Sequence, residues 1–170
     1  GIWGDYRLKA FDLYRSAQEL SKKNPSFDLI ILTVKSYDTE TAVRELLPFI
    51  KENTTLLSLQ NGLGNIETML ATGVKPEKYL AGRVIFGVEL SPGVAKVTVN
   101  ADDVLIGALP GVTPQANVYQ LVQSFSTAKI PTRGVPDILT HIWAKVIYNC
   151  ALNAICSIHE MPYGKILDSE

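Results

Sequence analysis

Cysteine is scarce in this chain: Cys150 and Cys156 are the only two in 170 residues. They stand six apart on one expected helix, a geometry that suits neither a disulfide nor a metal site. Reduced thiols in a cytoplasmic protein are the expectation, with no bound metal. Histidine is equally rare. His159 reads as a helix-end residue set against the C-terminal dipole, His141 lies near the start of the same helix, and neither is assigned chemistry. No charge sign dominates: 16 Lys and Arg face 17 Asp and Glu, for a net charge of −1. That balance offers no basic field to nucleic acid or to an anionic membrane surface. An apolar run of transmembrane length is missing, and so is a signal-peptide layout, so no membrane partner is expected. Internal repeats and low-complexity tracts are absent. So is an initiator Met: the chain opens Gly1-Ile2-Trp3-Gly4 and closes on a helical pattern at Glu170, so both ends read as cuts in a longer protein.

What is present is an ordinary core-forming composition, 46% hydrophobic and 19% charged, enough for one domain or one domain and part of another. The run DLIILTVK at 28–35 is nearly all apolar and rich in β-branched residues, the pattern of a parallel strand buried on both faces. Asp38 or Thr39 can cap a helix reaching Ile50, a second buried strand spans 54–59, and a helix covers 66–71. This β-α-β-α order predicts a doubly wound α/β domain. Strands at 80–90, 94–99 and 104–109 then suggest an antiparallel addition, with a turn at 100–103. A helix at 118–125 and an edge strand at 130–135, interrupted by Pro131, complete the first part. Residues 1–14 alternate loosely and suggest a strand pair. The boundary is placed near 135: residues 1–135 form a partial dinucleotide-binding domain of Rossmann type, and 136–170 begin an all-helical domain.

The densest signal is HIWAKVIYNCALNAIC at 141–156. On a helix, Lys145, Asn149 and Asn153 fall at i, i+4 and i+8, on nearly one line. The rest of the circumference is apolar, which predicts burial nearly all round. Polar groups on a buried helix must find partners or cost several kcal/mol. Asn is also about half a kcal/mol worse than Ala as a helix former. A solvated face would carry Glu–Lys pairs, yet no carboxylate stands between Asp137 and Glu160. The stripe reads as one wall of a small-molecule site.

A glycine-rich turn, QNGLGN at 60–65, follows a buried strand and opens a helix, where open α/β sheets bind ligands. Gly62 and Gly64 imitate a G-x-G-x-x-G fingerprint, but the third position is Glu67, whose charge opposes a bound phosphate. The strict fingerprint is missing from the chain. Asn-Gly is also a common turn dipeptide, while Asn61 is well placed for a ligand-facing amide. Lys35 ends the other buried strand at the same sheet edge. It either snorkels to water or stands as a cation beside a nucleotide.

Three segments in order, DLIILTVKSYDT (28–39), LQNGLGN (59–65) and WAKVIYNCALN (143–153), resemble the ketopantoate reductases, also called 2-dehydropantoate 2-reductases. The resemblance implies NADPH-dependent reduction of 2-dehydropantoate to pantoate, on the way to coenzyme A. It gives Lys145 the general-acid position and Asn149 and Asn153 the substrate-binding positions. Asn61 falls between nicotinamide and substrate, Lys35 near the cofactor's ribose phosphate, and Val88 where a backbone group meets the cofactor. A homodimer is compatible with the resemblance. The chain lacks the family's N-terminal G-x-G-x-x-G unit, the basic residue that reads the 2′-phosphate, and a later Ser and Glu for the substrate. Tyr163 stands where the family often has Asn before Gly164. The chain by itself is therefore expected to be inactive. Two alternatives are another Rossmann-type reductase, related to 6-phosphogluconate or hydroxyisobutyrate dehydrogenases, and a non-enzymatic metabolite-binding module.

Overall fold

Two short strands set one side of the sheet; the second is buried throughout, while the first, expected to be buried on both faces, lies at the sheet edge with Ile31 exposed. Leu29–Leu32 (β1) and Thr55–Ser58 (β2) pair in parallel, from Leu29 beside Thr55 to Leu32 beside Ser58. The structure, a computed structural model, describes residues 1–8, 11–114 and 116–166. Tyr79–Ser91 (β3) joins β2 in parallel, then turns through Pro92 and Gly93 into the antiparallel Val94–Ala108 (β4). Thr132–Gly134 (β5) runs parallel to β4 at the far edge, so the strand order is β1-β2-β3-β4-β5. The helices are Ala17–Ser21 (α1), Thr39–Leu46 (α2), Asn65–Ala71 (α3), Val118–Thr127 (α4), Ile138–Ile158 (α5) and Tyr163–Ile166 (α6).

Alternation along the strands makes two cores. Leu56 and Leu57 are both fully buried but serve opposite faces of the sheet. Leu56 packs with Val43, Met69 and Tyr79 on the face covered by α2, α3 and the start of α5. Leu57 joins Leu80, Val104 and Ile106 beneath Leu121 and Phe125 of α4. Each such leucine contributes about 1.5–3 kcal/mol by leaving water. Helices on both faces of a mostly parallel sheet bear out the α/β reading.

The position of α5 rests on one close approach. A Cβ at Gly107 would lie 2.5 Å from the Val135 carbonyl and 3.0 Å from Ile138 Cβ, so only glycine lets the helix begin this near β4. Asp137 caps it, accepting from the Thr140 N–H at 3.2 Å.

Several expectations are corrected. No strand pair forms in residues 1–8 and 11–14; Ile2 donates one bond to the Val97 carbonyl at 3.1 Å, while Leu8 and Leu13 stay exposed. The expected strand at 28–35 is trimmed to β1, leaving Lys35 in the following loop. The strands at 94–99 and 104–109 are one strand. The polar segment at 100–103 continues through irregular register, because its two aspartates pair with arginines instead of turning into water. Helix α5 is also not buried all round. Ile138 alone is fully buried, while Ile147 and Ile158 are 66% and 77% exposed. The reason is length: 21 residues extend about 30 Å, and the sheet meets only the first half of them, packing at Ile138 and Ile142 and bonding Lys145.

Candidate functional site

The loops after β1 and β2 meet at the carboxyl ends of the parallel strands. Gly62 (φ 90°) and Gly64 (φ 86°) take left-handed conformations, which fold the chain back between Asn61 and α3. The Asn61 carbonyl accepts from Ser36 Oγ at 3.0 Å and from Asn65 Nδ2 at 3.1 Å. Gln60 Nε2 donates to the Val34 carbonyl at 2.9 Å and to Thr39 Oγ1 at 2.8 Å, and that hydroxyl donates to Asn65 Oδ1 at 3.0 Å. Thr39 and Asn65 are buried, so the bond between them escapes solvent competition, and the more exposed bonds around it help to hold the two loops together. Thr39 is not a cap: it is the first residue of α2, and Asp38 at the cap position makes no side-chain capping bond.

Against this loop stands the helix stripe. Lys145 Nζ donates to Asn61 Oδ1 and to the Val84 carbonyl, joining α5 to the β2 loop and to β3. Burial pushes the ammonium's pKa below its ordinary 10.5, and the nearby Arg83 cation adds to the effect. Asn149, one turn further, lines the same small crevice with Gln60, Asn61, Arg83 and Lys145. A neighbouring cavity of about 100 Å³ shares Gln60, Gly62, Gly82 and Ile142 with it and is walled by Trp143.

The other expected residues lie outside the crevice. Asn153 is exposed two turns along α5, its Oδ1 accepting from the Tyr163 hydroxyl. Lys35 is exposed and its side chain makes no hydrogen bond or ion pair among the described residues, although its neighbour Ser36 holds the Asn61 loop. Val88 pairs with Val97 further out on the β3–β4 hairpin and does not reach the crevice.

Arg83 was missed by sequence reasoning. Its side chain is 5% exposed and donates to Asp102 Oδ2 at 2.5 Å. That bond, first among several causes, holds the Asp102 carboxyl below the usual carboxylate range. The signal was available: one arginine inside YLAGRVIF, a strand otherwise built for burial. Among the described residues no cluster of His, Cys, Asp and Glu is arranged to hold a metal ion. No described helix is long and apolar enough to cross a membrane.

An ammonium has three N–H groups, and two are spent on Asn61 and Val84. The third is left for a ligand oxygen, from a lysine whose lowered pKa suits proton donation.

A mostly parallel sheet with helices on both faces, and with a lysine and amides gathered at its carboxyl edge, defines an α/β domain of Rossmann type. The family profile for ketopantoate reductase PanE/ApbA matches residues 3–111, and the chain belongs to that family. It is 35% identical over 173 aligned residues to the 2-dehydropantoate 2-reductase of Aquifex aeolicus, covering 99% of this chain and 53% of that protein. A solved 2-dehydropantoate 2-reductase from Geobacter metallireducens superposes with a TM-score of 0.82 at 26% identity, covering 98% of this chain and 54% of that one. A D-mandelate dehydrogenase solved with NADH and anilino(oxo)acetate gives a TM-score of 0.70 at 25% identity, covering 81% and 44%. The chain thus spans about half the length of the curated relatives it matches.

Proposed function

We propose that the protein carrying this chain is a cytoplasmic, NADPH-dependent 2-dehydropantoate 2-reductase, with residues 136–170 opening its helical substrate domain. The observation that carries the reading is the Lys145 ammonium, held between the Asn61 side chain and the Val84 carbonyl at the carboxyl edge of the sheet. In this reading Lys145 gives a proton to the carbonyl oxygen and stabilises the developing alkoxide. Asn149 and Asn153 hold the substrate's oxygens, and Asn61 sets Lys145 in place. A homodimer belongs to the same proposal.

The residues fit one end of a nicotinamide dinucleotide. A Cβ at Gly64 would meet nothing within 4 Å, and one at Gly62 only Ser36 Oγ at 3.7 Å, so the backbone beside Asn61 is open to a flat ring. Lys35 would meet ribose or phosphate oxygens and Asn61 the nicotinamide, while Val88 would contribute backbone further out. The chemistry supplied by the cofactor is a hydride for the carbonyl carbon. The pyrophosphate does not fit at α3, where Glu67 occupies the first turn.

A second reading, reduction of a different 2-oxo acid, is favoured by Tyr163, whose hydroxyl occupies the Asn153 amide. The test is turnover of the intact protein on 2-dehydropantoate and a panel of 2-oxo acids, each with NADPH and NADH. The first reading requires the highest kcat/KM for 2-dehydropantoate with NADPH. A preference for another acid installs the second, and no turnover on any acid removes both.

A further inference from the structure

Arg83 is oddly provided for. Its Nη2 is paired with Asp102, but Nη1 is buried and has no hydrogen-bond partner among the described residues. A guanidinium does not shed its proton, so an orphan N–H inside the fold carries a desolvation cost. Asp102 is itself shared with Arg133, which also pairs with Asp103, so two arginines and two aspartates balance. Lys145 is left over. The crevice lining holds Lys145, Arg83 and three amides, Gln60, Asn61 and Asn149, and no carboxylate. Asp102 answers Arg83 from outside this lining, and the Lys145 charge meets no carboxylate within it.

The strand geometry turns Arg83 toward the stripe. Tyr79 and Ala81 precede it at two-residue spacing, and both pack in the cluster that contains Ile138 of α5. Arg83 thus stands on the sheet face that α5 covers, close enough for its charge to act on Lys145.

We propose that Arg83 Nη1 is a binding group for the carboxylate of a 2-oxo acid whose keto oxygen is held by Lys145. The proposal rests on the 2-oxo acid reductase reading above, and makes Arg83 a specificity-determining residue of the same site. A 2-oxo acid sets its carboxylate one bond from its carbonyl, so the two groups can address two cations that line one crevice, which at about 10 Å³ must open to admit them. A charge-assisted bond from a guanidinium selects the acid over its neutral amide. A nucleotide phosphate shares this oxyanion chemistry, and the experiment separates the two sources.

The intact protein is compared with Arg83→Met and Arg83→Lys. For whichever 2-oxo acid the wild type reduces best, KM and kcat are measured on the acid and on its primary amide. In Arg83→Met, KM for the acid is expected to rise about 10- to 100-fold with the amide nearly unaffected. Arg83→Lys keeps the charge and should recover part of the loss. Titration with oxamate, and separately with NADPH, gives a readout independent of turnover: oxamate binding should weaken in Arg83→Met and NADPH binding should not. Equal losses on acid and amide would make Arg83 structural and overturn the proposal. Weakened NADPH binding with unchanged oxamate binding would assign Arg83 to the cofactor and overturn it too. If the wild type reduces no 2-oxo acid, the functional reading fails by itself, and the oxamate titration alone decides on Arg83. Should Arg83→Met fail to fold, Arg83→Lys with unchanged KM for the acid and unchanged oxamate affinity is the overturning result.

Discussion

At Lys145 the burial that lowers the ammonium's pKa also lowers the stability of the fold, because a desolvated charge prefers the unfolded chain. The folded value lies below the 10.5 of a free lysine. Between the two, the unfolded state binds more protons, so stability rises with pH across that window, and the penalty is complete below it. Relative to Lys145→Met, the wild-type chain should gain stability as the pH is raised toward 10.5, read from urea midpoints. A difference flat with pH would put the ammonium in water. In the intact protein, Lys145→Ala should lower kcat by about two to four orders of magnitude. Wild-type turnover in that variant would remove it from the mechanism. Asn149→Ala and Asn153→Ala should each cost about 1–3 kcal/mol in kcat/KM, through a lost bond and an unpaired partner. Normal kcat/KM in both would make the stripe a solvated surface.

Among the elements, the joint between the β1 and β2 loops is the part most sensitive to a small change. Thr39 is fully buried and both accepts from Gln60 and donates to Asn65. Thr39→Val keeps the shape, strands the Asn65 oxygen, and removes one of the two acceptors of Gln60 Nε2. It should cost about 1–3 kcal/mol in urea denaturation, and a loss under about half a kcal/mol would mean the loops are held otherwise. Parts of this site were legible beforehand because their signals are local. The 3.6-residue period aligned Lys145 with Asn149, and apolar runs marked the two strands whose loops converge. Asn61 and Lys145 are 84 residues apart, yet both were singled out from their own segments. Thr39 was legible only as a cap, since its partners at 60 and 65 depend on how two loops dock. The aspartates at 102 and 103 read as a turn because their arginines, at 83 and 133, come from other strands. Helix α5 looked buried because periodicity reports which faces are apolar, and not what covers them.

For the whole molecule, the 170-residue chain by itself should bind NADPH weakly and show no reductase activity. Backbone N–H groups at a glycine-rich helix start are the usual anchor of a pyrophosphate, and the similar turn here carries Glu67. Isothermal titration is the direct measurement, and tight stoichiometric binding would locate the anchor within these residues. The same preparation presents the edge of β1, which has no second neighbour among the described residues and where Ile31 is 41% exposed, and the apolar flank of α5. Both favour self-association at high concentration.

The bare backbone at Gly107 acts as a pivot. Ile138 rests against it, and Lys145 rides seven residues further, about 10 Å along a stiff rod. A methyl group added under the pivot swings the far end more than the near one, since a lever magnifies what happens at its fulcrum. Gly107→Ala should therefore move the ammonium off the Asn61 loop while leaving every site residue in the sequence. A misplacement of about 1 Å at a reacting group can slow turnover about a hundredfold. The expected result in the intact protein is a large fall in kcat with an unaltered site composition, and full activity would show that the helix bends to absorb the push.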